Sequence, residues 1–176
     1  QCGAADLTAD WPLYVVNHLS AKRLEEMGFS AVTLSPEDDR ANLGRLAAAP
    51  SDRAWLVTYS DIPLFLSAAC AHAHLDRCGR GPEGCIQGTT PMDLELERSG
   101  PVRVWARECG SVVVGRRPFI LAEERSDAAS LGLRSYRIDL RWRPYPADEA
   151  VAVWRGFTAG GKPVPGDSAN YRRGLV

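Results

Sequence analysis

The first sixty residues alternate short apolar runs with amphipathic segments, and this rhythm restricts the fold more than any other feature. Trp11-Pro12 leads into LYVVN, a run of β-formers that reads as a buried strand. Asn17 or Ser20 then caps a helix, AKRLEEMG. Its apolar positions Ala21, Leu24 and Met27 fall three apart, and Gly28 supplies the stop. SAVTLSPE reads as a second strand. DRANLGRLAAA is a second helix, ended by Pro50-Ser51-Asp52, and AWLVTYS is a third strand. A β-α-β-α-β order with short loops predicts parallel strands joined by crossover helices. The strands are apolar throughout, which suits a sheet covered on both faces.

The rhythm stops after Asp61-Ile62-Pro63-Leu64-Phe65. Residues 66–101 read as a loop-rich, cysteine-bearing insert with Pro82, Pro91 and Pro101. VRVWARE then alternates Val102, Val104 and Ala106 with Arg103, Trp105 and Arg107. Gly110 turns the chain and SVVVGRRPFILA returns, which predicts an antiparallel hairpin over 102–122. SDAASLGL reads as a short helix with Ser126 as cap, and SYRIDLRW as a further strand. ADEAVAVWRGFTAGG reads as a helix ending at Gly160-Gly161, and KPVPGDSANYRRGLV as an extended tail. At 176 residues the chain fits one α/β domain, 1–176, with a sizeable core.

Four of the five cysteines and two of the three histidines fall between Cys70 and Cys109. The intervals are Cys70-x7-Cys78-x6-Cys85-x23-Cys109. None is the tight C-x2-C of a zinc ribbon or ferredoxin. The loop CGRGPEGC lets backbone approach a cluster closely and turn its N–H groups toward sulfur. Four thiols around such a loop point to a metal site, iron–sulfur or zinc. His72 and His74 beside Cys70 are alternative zinc ligands. Buried, unliganded thiols are the plain alternative. Cys2 stands apart as an incidental thiol.

Net charge is −1, which excludes a globally polycationic nucleic-acid binder. From Arg134 onward, eight basic residues face four acidic ones. That tail, with Tyr136, Trp142, Tyr145 and Tyr171, offers phosphate contact and base stacking, or simply a solvated surface over a core. No apolar run reaches the roughly 18–20 residues of a membrane span. An odd cysteine count without a secretory segment fits a reduced, cytoplasmic setting better than a disulfide framework. The start at Gln1 leaves targeting open.

Four segments together resemble the C-terminal part of the collagenase-like U-32 peptidase family. They are NHLSAKRLEEMGFSAVTLSPE, YSDIPLFLSAAC, RECGSVVVGRRPFIL and LGLRSYRIDLRW, spanning residues from about 13 to 143. The resemblance implies a partial or modified TIM-like (β/α) barrel, of which this chain carries the later strands. An upstream half, or a partner in a homo- or heterodimer, would supply the others. It also implies a 4Fe–4S cluster on Cys70, Cys78, Cys85 and Cys109, supporting oxygen-independent hydroxylation of a ubiquinone precursor or an RNA base. The Cys78–Cys85 interval is shorter than the family's, which keeps zinc open.

The family name also implies a peptidase. The sequence has no G-x-S-x-G elbow, no C-G-S-C-W and no H-E-x-x-H. The remaining acid–base candidates are His18, Glu37 and Asp139, each near a strand end. A capping role for His18 and an ion pair from Asp139 to Arg137 or Arg141 are the structural alternatives. A metal-stabilised binding or assembly module without catalysis is the third function class.

Overall fold

A computed structural model describes residues 6–47, 53–75, 90–97, 100–158 and 164–174. In chain order the strands and helices begin with β1 (Thr8–Ala9), α1 (His18–Glu26), β2 (Ala31–Leu34), α2 (Arg40–Ala47) and β3 (Ala54–Ser60). There follow β4 (Pro63–Ser67), α3 (Ala71–His74), β5 (Met92–Leu96), β6 (Gly100–Arg107) and β7 (Gly110–Gly115). The last are β8 (Phe119–Ile120), α4 (Arg125–Ser130), β9 (Ser135–Asp139), α5 (Ala147–Thr158) and α6 (Asn170–Arg173). The architecture is α/β with two sheets, and no closed barrel forms among the described residues. Two compact units divide the chain. One is Gln1–Tyr59, Phe119–Ile138 and Gly166–Val176; the other is Ser60–Pro118 and Asp139–Pro165.

In the first unit β1, β2 and β3 pair in parallel, with Ala9 opposite Val32 and Leu34 opposite Leu56. The crossover order read from the sequence is therefore present. β8 and β9 also pair with β3. The interior is built by Val15, Leu34, Leu43, Leu56, Val57, Leu121 and Leu133, each all but fully buried. Burying one such side chain contributes about 1.5–3 kcal/mol.

The expected strand LYVVN is absent. Trp11–Leu13 forms a 3-10 turn, because the Asp10 carboxylate accepts the Trp11 N–H at 2.8 Å and Pro12 needs no donor there. Tyr14 then adopts left-handed backbone (φ 49°), which no strand tolerates. Pairing with β2 is moved upstream to Thr8–Ala9.

Asn17 rather than Ser20 caps α1, its Oδ1 accepting the Ser20 N–H at 2.9 Å. Gly28 closes α1 in left-handed geometry (φ 96°), with Phe29 N–H donating to the Leu24 carbonyl and Gly28 N–H to that of Glu25. No residue of α1 is buried, and Met27 is 60% exposed. The helix bridges a cavity of about 280 Å³ lined by Ala21, Phe29 and Val32, instead of packing its apolar positions tightly.

Polar contacts tie late segments to this unit. The Arg137 guanidinium on β9 donates to Asp10 at 2.8 Å and to the Thr33 hydroxyl at 3.3 Å. The Arg40 Nε and Nη2 both reach Asp127 at 2.6 Å, and the buried Tyr171 hydroxyl donates to the same carboxylate at 2.8 Å. Within the expected extended tail, Asn170–Arg173 instead forms a short helix, α6, held through Tyr171. The Ser126 cap is not used either; α4 starts two residues earlier, at Arg125, after Glu124.

The second unit holds an antiparallel sheet in the order β4-β7-β6-β5. The hairpin is present, but its turn is Glu108–Cys109, both left-handed (φ 48° and 63°). Such a two-residue turn matches the right-handed twist of its strands. Register then assigns the faces. Trp105 opposes Val112, and Val104 and Ala106 oppose Val113 and Ser111 on the other side. The returning segment is two strands, not one, since β7 ends at Gly115 and Pro118 lacks a ladder donor before β8. β5, inside the expected loop-rich insert, was not foreseen; its MDLEL alternation is the available signal.

Two predictions follow from packing and charge. A Cβ on Gly110 would lie 2.6 Å from the Ser67 carbonyl oxygen. Gly110→Ala should lower stability by about 1–3 kcal/mol, read from the urea midpoint. Arg40, then Tyr171, hold the Asp127 carboxyl at about 2, against an ordinary 3.8. A lowered folded value means its stabilisation is complete above pH 3.8 and is lost as pH falls through about 2. In Asp127→Asn that part of the acid dependence should vanish from pH-resolved unfolding curves.

Candidate metal centre and neighbouring sites

The four-stranded sheet ends in a small polar lock that positions the cysteines. Ser67 at the end of β4 opposes Ser111 on β7. The buried Ser111 hydroxyl accepts the Ala71 N–H at 2.8 Å and donates to the Ala69 carbonyl at 3.0 Å. These two bonds clasp the backbone on either side of Cys70. Cys70 is buried, at the N-terminal boundary of α3, and its carbonyl accepts the His74 N–H at 3.1 Å. Cys109 is half-buried in the β6–β7 turn, two residues from Ser111. Both thiols are free, and the register brings them to the same end of the sheet.

His72 lies on α3, two residues after Cys70. Its side chain is 5% exposed, and its Nε2 has no hydrogen-bond partner. A buried polar atom left unsatisfied costs about 1–3 kcal/mol, which a bound metal or an acceptor at the site would offset. His74 closes α3 and is exposed. Cys78, Cys85 and Cys2 lie outside the described residues. Among the described residues, no three His, Cys, Asp or Glu side chains gather into a metal-holding group. The donors that are described, two thiols and an unsatisfied imidazole nitrogen, are soft and borderline ligands that fit iron–sulfur or zinc.

The acid–base candidates do not assemble. His18 opens α1, exposed, at the rim of the cavity beneath that helix. The N-terminal cap there belongs to Asn17. Among the described residues the His18 imidazole joins no hydrogen bond to a nucleophile. Glu37 accepts from the Tyr14 hydroxyl and, after burial, contributes to holding that phenol's proton. Asp139 is buried and takes a two-pronged contact from Arg141, Nε at 2.8 Å and Nη2 at 2.6 Å. Arg137 points to Asp10 instead. The aromatics of the tail are mostly committed as well: Tyr171 is buried against Asp127, and the Tyr136 hydroxyl donates to the Leu133 carbonyl.

Two features escaped the sequence. Asp61, Arg143, Tyr145 and Glu149 form a half-buried polar cluster around the buried Asp61. In it Arg143 Nε donates to Asp61 at 2.7 Å and Nη1 to Glu149 at 3.0 Å, while the Tyr145 hydroxyl donates to Asp61. The guanidinium also stacks 3.8 Å above the Tyr145 ring. Nearby, Trp105 and Trp142 pack with Val112 and Val114 beside a cavity of about 380 Å³. Only the pairing of distant segments creates either, although R-W-R-P-Y carries Trp142, Arg143 and Tyr145.

Ser111→Ala removes both bonds of the lock. It should cost about 1–3 kcal/mol and raise the rate at which iodoacetamide labels Cys70, measured by mass spectrometry of the peptide. Comparison with protein families, with curated proteins and with solved structures found no match to this chain.

Proposed function

We propose that the chain is a metal–thiolate protein whose preferred occupant is a 4Fe–4S cluster held by Cys70, Cys78, Cys85 and Cys109. The supporting observation is the convergence of two free thiols, Cys70 and Cys109, on one end of the four-stranded sheet. They flank in sequence the glycine-rich loop that bears the other two. A bound cluster supplies one-electron transfer. In this reading Ser111 fixes the backbone at Cys70, and the left-handed turn presents Cys109.

The wider reading is a U-32-type protein supporting oxygen-independent hydroxylation of a ubiquinone precursor or an RNA base, in a cytoplasmic setting. The parallel order β1-β2-β3 with its crossovers is what the later strands of a modified (β/α)8 barrel would contribute, the rest coming from upstream sequence or a partner chain. One observation favours zinc as a second reading. The unsatisfied Nε2 of His72 suits a closed, structural Cys/His site.

Anaerobic reconstitution with iron and sulfide decides between them. About four irons per chain with broad visible absorption, lost in Cys109→Ala, is the expected outcome. Stoichiometric zinc that survives Cys109→Ala and is lost in His72→Ala would replace the cluster reading with the zinc one.

A further inference from the structure

We propose that the cavity beneath α1 binds a short-chain aliphatic carboxylate, with its hydrocarbon tail on the sheet and its carboxylate at Lys22. Every lining residue belongs to the first unit, so the site rests neither on the cysteines nor on a metal. The floor is one face of the parallel sheet. Val32 and Leu34 alternate onto it from β2, and Ala54 of β3 pairs opposite Val32. Leu46 of α2 and Phe29 form the walls. At about 280 Å³ the space lies at the lower end of small-molecule sites, which limits the tail to a few methylenes.

The roof selects the kind of ligand. His18, Ala21, Lys22 and Glu25 fall at i, i+3, i+4 and i+7, so a single stripe of α1 faces the cavity. A helix laid over a sheet ordinarily turns its apolar stripe inward. Here the inward stripe carries three polar side chains and one methyl group, while Leu19 and Met27 are 66% and 60% exposed. No residue of α1 is buried, and Phe29 and Val32 beneath it stay half-buried. An apolar floor under a polar roof matches a molecule with a hydrocarbon tail and a polar head. A wholly apolar occupant would bury the sheet and leave the roof unmatched.

Charge at the mouth decides the head group. Arg53, which leads into β3, pairs with Glu25 at 2.7 Å. Glu26, the other carboxylate of α1, is taken by Arg23 at 3.2 Å. Lys22 lies one turn before these carboxylates and joins no ion pair among the described residues. The lining thus sets two cations, Lys22 and Arg53, against one anion, Glu25, before His18 is counted. One surplus positive charge beside an apolar cavity attracts a monoanion. Lys22 is exposed, so the carboxylate it meets sits at the rim and only the tail enters.

Titration of the full chain with hexanoate at constant pH, followed by nuclear magnetic resonance of its three histidine ring signals, tests the site. The His18 signal, identified by its loss in His18→Gln, should shift and saturate. Butanoate, shorter by two methylenes, should bind about tenfold more weakly. Hexanol should bind about threefold more weakly than hexanoate, and hexylammonium more weakly still. Ala21→Leu fills the cavity from the helix and should weaken both hexanoate and hexanol about tenfold or more. Lys22→Gln should weaken hexanoate about threefold and leave hexanol unchanged. Lys22 is exposed, so that variant serves even where Ala21→Leu disturbs α1. An unmoved His18 signal, equal binding of hexanol or butanoate, or wild-type hexanoate affinity in either variant would overturn the assignment.

Discussion

The register of the β6–β7 hairpin governs the second unit. It is set by a turn of only two residues, Glu108 and Cys109, both in left-handed backbone, and by the close approach of Gly110 to the Ser67 carbonyl. A slip of one residue would exchange the two faces of both strands. Trp105 and Arg107 would leave their cavity, and Ser111 would lose its grip on the backbone around Cys70. A side chain larger than glycine at position 110 cannot relieve the contact, because its neighbour is main chain. One local constraint therefore positions both the thiol-bearing end and the opposite, arginine-lined face.

The same unit illustrates how buried charge is made tolerable. Asp61 and Asp139 are almost wholly buried, and each is met by a guanidinium with good geometry. Removing one partner of such a pair leaves a buried charge, which is far more costly than the pair is stabilising. These arginines act first as counter-ions. That division of labour explains why a strongly basic C-terminal composition need not produce a strongly basic surface: Arg137, Arg141 and Arg143 are each paired with a carboxylate. The exposed ion pairs of Arg23 with Glu26 and Arg53 with Glu25 contribute little by comparison.

In the first unit the polar ties play another part. Arg40, Asp127 and Tyr171 join α2, α4 and α6, and the Asn170 side chain donates to the Glu37 carbonyl at 2.9 Å. They draw the last residues of the chain onto elements laid down more than a hundred residues earlier. The tail composition, with its prolines and glycines, gives no sign of this. The one clue is an apolar-bodied residue, Tyr171, in an otherwise polar stretch.

Sequence by itself determined the features that depend on neighbours in the chain. Apolar runs of four to seven residues gave the buried strands β2 and β3, Asn17 and Gly28 bounded α1, and alternation gave the hairpin. It also singled out Cys70, Cys78, Cys85 and Cys109 as one candidate ligand set. Where local signals conflicted it misled: LYVVN has the composition of a strand, yet the Asp10 cap, Pro12 and left-handed Tyr14 bend it. Only tertiary structure decided which thiols share an end of a sheet, that His72 is buried with an unsatisfied nitrogen, and that Trp105 and Arg107 line one cavity. Those outcomes depend on strand register and on contacts between residues 34 to 42 positions apart, for which a linear pattern of residue types carries no code.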